Sequence, residues 1–408
     1  MNSTIKKIIY FIAAPYSRRD HKRFGIDILE KNGFEVEVWD FGPFLYPRAY
    51  YEELKVVDIM SYSKLRLFKK RQNALRAISE LCSMESFAVS IIPYSIATYM
   101  IYKALSRNKI RYSVFLANAI PLTACGSCGF RDLIKNITMR EVLDKFKQIT
   151  FKKLAEVLFL KLDFGLLKIS PATLILAGGE KSIVGCKYPV NKKTETLWLH
   201  TLDYDIYLCE KEKTYNTEEH LAVFLDEFVP FHSFYLYLGL KPFATADCYY
   251  PVLNKFFDHL ESNYGVNTII AAHPRSDYEK HRDYFNGRPV IKGRTAELIN
   301  RASFVITHAS TSINFAVLSP KPIIFVTTDQ LEKSPEGTWI VNFASLFGKR
   351  VNNLNKIDSI NIAEELKINH KLYEKYKNDY IKKTGSEELP FWQIFANKIK
   401  ALDGMERN

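Results

Sequence analysis

The amino-acid sequence predicts an α/β fold made of two parallel-sheet units in series. Three observations predict it. The chain has 408 residues, and at about 100–200 residues per domain that length favours two cores. Short apolar runs alternate with helical-period segments through both halves, as in repeated β-α-β units. A polar, charged stretch at 209–220 separates the halves like a linker. The composition, 47% hydrophobic and 25% charged, is that of an ordinary globular chain and excludes a disordered chain, a collagen-like chain and a disulfide scaffold.

The first forty residues set the pattern. Ile8 to Ile12 is a short buried strand, and residues 21–31 place Phe24, Ile28 and Leu29 at helical spacing. Asn32-Gly33 stops that helix, and Phe34 to Asp40 alternates as a second strand. A strand, helix and strand in this order pair in parallel through a right-handed crossover. Further strands are predicted at Phe87–Ile92, Arg111–Leu116, Thr173–Ala177 and Thr196–His200, with helices over Ser95–Ser106 and 140–162. The second unit starts at Leu221–Leu225. It continues through a helix ended by Gly265, a strand Asn267–Ala272, a helix Thr295–Arg301, a strand Phe304–Thr307, a helix Ser312–Leu318 and a strand Pro322–Val326. The tail from Ile362 reads as helical. Its last helix begins at Pro390, a favoured first position, and puts Phe391, Ile394, Phe395 and Ile399 on one face. The expected domains are 1–212, 213–385 and a C-terminal helix, 386–408, packing back. Both main units are Rossmann-like.

The net charge is +12, and it is one-sided: residues 1–215 carry 34 Lys+Arg against 22 Asp+Glu, whereas residues 216–408 carry 23 of each. A basic half attracts polyanions, anionic lipid or acidic substrates. Lys6-Lys7 followed by Ile8 to Pro15 imitates a leader, but the run is short and meets Arg18-Arg19-Asp20, so it reads as a strand. No span of roughly 20 apolar residues occurs. The six cysteines are expected to be free thiols of a reducing cytoplasm, and Cys125-Gly-Ser-Cys128 has no second pair to make a metal or redox centre.

In parallel sheets, ligands sit beyond the carboxyl ends of strands, so the strand-end loops carry the candidate chemistry. The strand Asn267–Ala272 ends in His273-Pro274-Arg275. The strand Phe304–Thr307 ends in His308-Ala309-Ser310-Thr311-Ser312, a hydroxyl-rich turn before a helix. Free N–H groups, hydroxyls and a helix N-terminus favour phosphate there, and His273 and Arg275 are expected to face the same anion. Asp226-Glu227 ends the strand Leu221–Leu225, and Gly178-Gly179 follows Thr173–Ala177, where glycines permit close backbone approach to a ligand.

With these motifs the chain resembles bacterial GT-B glycosyltransferases of surface polysaccharide synthesis, above all the inverting sialyltransferase-like families that use CMP-activated sugars. Those families carry a His-Pro motif and, forty to fifty residues on, a Ser/Thr pair that holds the donor phosphate. Here His273-Pro274 precedes Thr311-Ser312 by 38 residues. The resemblance implies a GT-B-like fold with two Rossmann-like domains facing across a cleft, and gives His273 the role of stabilising or protonating the leaving phosphate. The family's acidic motif, Asp/Glu-Asp/Glu-Gly, supplies its general base. This chain has Asp226-Glu227-Phe228 instead, which leaves the base unassigned.

Asp20 and Asp203 lead the remaining candidates for that base, each near a first-unit strand end. Asp203-Tyr204-Asp205 also spells the Asp-x-Asp metal motif, but the His and hydroxyl clamp predicts catalysis without a metal, and no cofactor is expected. The basic stretch Lys64, Arg66, Lys69, Lys70, Arg71 and Arg76 suits an anionic membrane surface or a lipid-linked glycan acceptor. No nucleic-acid-binding pattern is present. The expected activity is transfer from a nucleotide-sugar donor, CMP-sugar preferred, onto a capsule or lipopolysaccharide glycan, in the cytoplasm or on the inner membrane face. A UDP-sugar epimerase, a CDP-polyol phosphotransferase or a non-catalytic scaffold of polysaccharide assembly are the alternatives.

Overall fold

The computed structural model describes residues 5–118, 154–215, 218 and 220–405. Cys125, Cys128 and most of the helix expected over 140–162 lie outside them. Thirteen strands form two sheets. The first holds β1 (Lys7–Ile12), β2 (Glu35–Asp40), β3 (Leu65–Leu67), β4 (Ser86–Ser90), β5 (Arg111–Phe115), β6 (Leu174–Ala177) and β7 (Glu195–Trp198). Its order is β3-β2-β1-β4-β5-β6-β7. The second holds β8 (Leu221–Leu225), β9 (Asn267–Ala272), β10 (Val290–Lys292), β11 (Phe304–Thr307), β12 (Ile323–Thr327) and β13 (Val351–Asn353), in the order β10-β9-β8-β11-β12-β13. All pairs are parallel.

The period of two along β1 explains the layering. Ile8, Tyr10 and Ile12 face one apolar layer, and Ile9 and Phe11 face the other, because successive side chains of a strand point to opposite faces. The first layer is completed from the far end of the chain. The helix Phe391–Met405 lays Phe391, Trp392, Ile394, Phe395 and Ile399 onto it. The Trp392 ring meets Tyr10 edge-on at 5.2 Å, and its Nε1 donates to the Arg23 carbonyl at 2.7 Å. Such aromatic contacts add to the area they bury.

The same indole explains a break in the sequence pattern. The single helix expected over 21–31 is two short helices, Arg18–Arg23 and Ile26–Lys31, joined at Gly25 with φ +56°. A Cβ on Gly25 would stand 2.2 Å from Trp392 Cδ1, so the glycine serves both the turn and the docking of the tail.

Gly178 and Gly179 correct an expectation. Their open side is filled by protein, not ligand. A Cβ on Gly179 would lie 2.3 Å from the Asp379 carbonyl carbon and the Tyr380 nitrogen, and one on Gly178 2.7 Å from the Ala117 oxygen. The segment Lys377–Ile381 is pressed against this loop, where the N–H groups of Glu180 and Lys181 donate to Asn378 and Asp379 carbonyls at 2.9 and 2.7 Å. Tyr380 and Ile381 meanwhile sink into the core of the second sheet. This strap fastens the two sheets to each other. A Gly179→Ala protein is therefore expected to lose about 1–3 kcal/mol through overpacking against backbone that cannot yield. A denaturation midpoint equal to wild type would contradict the strap.

Candidate functional site

The candidate residues of the second unit lie beyond the carboxyl ends of its sheet. The His273 and Ser310 turns do not leave adjacent strands. β8 lies between β9 and β11, which sets the two strand ends about 10 Å apart at ordinary interstrand spacing. Asp226-Glu227 occupies the gap and ties both sides. Asp226 Oδ2 accepts the His273 N–H at 3.1 Å, and its Oδ1 accepts the Phe228 N–H at 2.9 Å and the Tyr278 hydroxyl at 3.0 Å. Glu227 Oε1 accepts the Ala309 N–H at 2.8 Å. Phe228 takes φ +53°, the left-handed conformation that suits glycine, and its ring packs on Tyr278 at 5.1 Å. A phenylalanine thus holds a glycine-like conformation in the third place of Asp226-Glu227-Phe228.

Among the described residues no cation pairs with these two carboxyls. Burial pushes Asp226 up to about 6, and burial with the charge of Glu336 pushes Glu227 up to about 8. Burial likewise lifts Glu336 to about 7.

His273 Nδ1 accepts the Arg275 N–H at 3.2 Å. Burial, then the neighbouring His232, Arg275 and Arg19, hold its pKa well below the ordinary value. The ring is therefore neutral, with its proton on Nε2, which has no hydrogen-bond partner among the described residues. The His232 ring stands 4.7 Å away, its own Nδ1 accepting the Phe234 N–H at 3.0 Å. Burial drops His232 to about 4. Nothing in the local sequence singles out His232, which reaches the site on the loop after β8. Pro274 is exposed. The Arg275 guanidinium is drawn across to the other sheet, where its Nε meets Glu53 Oε1 at 2.5 Å. Glu53 is 1% exposed and also accepts the Tyr237 hydroxyl.

His308 is a second correction. It is fully buried, its Nδ1 donating to the Val326 carbonyl at 2.7 Å and its Nε2 accepting the Tyr249 hydroxyl at 2.7 Å. Both nitrogens are spent inside the core, so it holds no ligand. Ser310 Oγ accepts the Ser312 N–H at 3.3 Å, while Thr311 is exposed. The helix that follows, Ile313–Leu318, has only six residues, so the hydroxyls of this turn matter more than any helix dipole.

The candidate bases separate. Asp20 closes a capping box with Ser17, whose hydroxyl donates to its Oδ2 at 2.6 Å. That carboxylate is occupied with starting a helix. Asp203 instead faces the second sheet, with Oδ1 3.4 Å from Arg23 Nη2 and Oδ2 accepting from Asn314 Nδ2 at 3.0 Å. Asp205 turns away and accepts the Phe391 N–H at 2.9 Å. Two residues apart on a helix, the carboxylates of this Asp-x-Asp diverge and do not present one face to a cation. Among the described residues no group of three metal-ligating side chains forms. A cavity of about 130 Å³ opens between Arg19, Arg23 and Asp203 on one side and Thr311, Ser312 and Asn314 on the other.

The raised carboxyls have a consequence for stability. Unfolded carboxyls titrate near 4 and unfolded histidine near 6.5, so above about 6.5 only the carboxyls bind more protons in the folded state than in the unfolded chain. Stability they contribute is lost as pH rises through their folded values. The denaturation midpoint is expected to fall between about pH 6.5 and 8.5, and Glu227→Gln to flatten that slope. A midpoint that rises over this range would show the carboxyls to be ionised in the fold.

No family model matches the chain, and no curated protein is similar to it in sequence. Among solved structures, the calicheamicin glycosyltransferase CalG4 aligns over 98% of both chains with a TM-score of 0.52 and 10% identity. Staphylococcus aureus MnaA, in a co-structure with UDP, aligns over 99% of this chain and 98% of its own at 12% identity, and the UDP-GlcNAc 2-epimerase of Methanocaldococcus jannaschii over 97% and 99% at 11%. Their TM-scores of 0.48 and 0.46 are too low to bear on function. At such identities the likeness concerns the fold alone: the chain has an α/β fold of the GT-B type, with two parallel sheets and helices between them.

Proposed function

We propose that the protein is an inverting, metal-independent glycosyltransferase that moves a sugar from a nucleotide donor, preferably a CMP-activated nonulosonic or Kdo-like acid, onto a bacterial surface glycan. One observation carries the reading. A neutral His273 stands at a parallel strand end with Nδ1 tied to backbone and Nε2–H without a partner among the described residues, across β8 from the hydroxyls of Ser310, Thr311 and Ser312. The two groups would hold one donor along the strand ends.

In this mechanism the phosphate of the donor rests on the hydroxyls and on His273 Nε2–H. As the bond from sugar to phosphate breaks, negative charge grows on the phosphate, and a preorganised donor gains strength there. A neutral imidazole in this tautomer supports hydrogen bonding to the leaving oxygen over delivery of a proton. Asp203, the one of the two candidate bases turned to the cleft, would take the proton from the acceptor hydroxyl as it attacks the opposite face of the sugar. The exposed Lys69, Lys70, Arg71 and Arg76 would meet the anionic surface that carries a lipid-linked acceptor. No helix among the described residues is long and apolar enough to cross a membrane.

The test is a thermal-shift series with CMP, CDP, UDP and GDP, followed by turnover. CMP is expected to raise the midpoint most. His273→Ala and Asp203→Asn are each expected to cut turnover by about 10²-fold or more while remaining folded, and EDTA is expected to leave it intact. Full activity in folded His273→Ala, or restoration by Mn²⁺ after loss in EDTA, would sink this mechanism.

A further inference from the structure

The cavity between the sheets has a feature that the strand-end motifs do not explain. Thr201 is 3% exposed and lines it, yet its Oγ1 has no hydrogen-bond partner among the described residues. Arg23 Nε, in the same wall, is also buried and unpaired. Buried polar atoms of this kind are ordinarily satisfied, and here two of them belong to residues that line one small space. Arg19, one helical turn before Arg23 and so on the same face, has no ion pair or hydrogen bond among the described residues. Among the described residues Asp203 is the only carboxylate lining the cavity, and it is engaged by Arg23 and Asn314. Two guanidinium groups thus face one carboxylate in the lining, with Asp20 beside Arg19 as the next nearest negative charge. The opposite wall adds the hydroxyl-bearing Thr311 and Ser312.

The volume decides what fits. About 130 Å³ is well below the 300–1,000 Å³ of a site for a whole ligand. A space of this size suits one charged group of a larger ligand. We infer that this cavity is a seat for a single oxyanion, a phosphate or carboxylate of the substrate, gripped by Arg19, Arg23 and Thr201 from the first unit and by Thr311 and Ser312 from the second. The seat rests on the transferase reading only in assigning the oxyanion to a sugar donor or acceptor. Because the two walls come from different sheets, the bound anion holds the units together and completes the bonds that Thr201 Oγ1 and Arg23 Nε lack.

Calorimetric titration of the full chain with inorganic phosphate, CMP and N-acetylneuraminate tests this, using wild type, Arg19→Gln and Thr201→Val. Wild type is expected to bind at least one probe, more weakly at high salt. Arg19→Gln is expected to weaken that binding about 10-fold or more, as loss of a charged hydrogen bond does, and Thr201→Val about 2- to 10-fold. Thr201→Val replaces an unpaired buried hydroxyl by a methyl, so its ligand-free melting midpoint is expected to equal or exceed wild type. A fall in that midpoint would mean that the hydroxyl serves the fold and would overturn the seat. Binding of phosphate and CMP without the carboxylic acid assigns the seat to the donor phosphate, and the reverse assigns it to the sugar acid. CMP binding that ignores both substitutions but fails in His273→Ala would overturn the seat and leave the transferase reading standing. Anion binding that depends on Arg19 in a protein that turns over no nucleotide sugar would do the opposite. Failure of all three probes to bind wild type overturns the seat.

Discussion

The candidate site depends on the carboxyl groups of Asp226 and Glu227, which meet no counter-charge among the described residues. Asp226 and Glu227 end the strand at the centre of the second sheet, and their partners are N–H and O–H groups of the flanking loops: His273 and Tyr278 on one side, Ala309 on the other. A buried ion pair would have been held by its own attraction. A buried acid instead needs donors delivered from several directions, and here the donors belong to the two loops that carry the candidate chemistry. The pair therefore sets the spacing of those loops, and its raised pKa values are the cost of that role. This also explains why a phenylalanine can stand in the left-handed third position. The ring of Phe228 packs on Tyr278, which offsets strain that glycine would have avoided.

Much of this was legible in the sequence. β9 and β11 have the predicted bounds, because period-two apolar runs and parallel topology are local signals. What escaped was set by distance along the chain. β3, β10 and β13 have three residues each, too few to display a period, and exist by pairing with longer neighbours. His308 looked like a ligand because its segment is polar. Only the fold brings Tyr249 and the Val326 carbonyl to its two nitrogens. Gly178-Gly179 looked like a ligand loop because a glycine signals close approach without saying of what, and the approaching backbone lies some two hundred residues later in the chain. Glu53 and His232 carried no signal at all, since neither lies in a motif.

The charge asymmetry gains a location. Many of the first unit's cations are already engaged: Lys7 with Glu37, Arg18 with Asp58, and Arg66 above the Trp39 ring at 4.7 Å. Exposed pairs of this kind are worth little in stability but remove the cations from play. Arg19 is different. Although it is exposed at the cleft mouth, its guanidinium is pulled down to about 10 by desolvation and by the nearby Arg23. Asp20 and Asp203 offset part of that repulsion, and an anion entering the cleft would offset more of it.

The strand orders show why the cleft is shared. In each sheet the chain reverses its direction of growth once, between β1 and β4 in the first and between β8 and β11 in the second, and crevices of parallel sheets open at such points. The helix Arg18–Arg23 follows β1, and the Ser310 turn follows β11. Each sheet thus contributes the segment that leaves its own reversal point, and neither can close the cavity alone. Asp203 and Asn314 join the walls directly, Arg275 and Glu53 join them at the His273 edge, and the strap at Lys377–Ile381 joins them behind. A substitution at any of these joints acts on the site by changing the distance between its two walls, even where the substituted residue touches no ligand. Within such a frame, affinity for an anion and cohesion of the two units are one quantity measured in two ways.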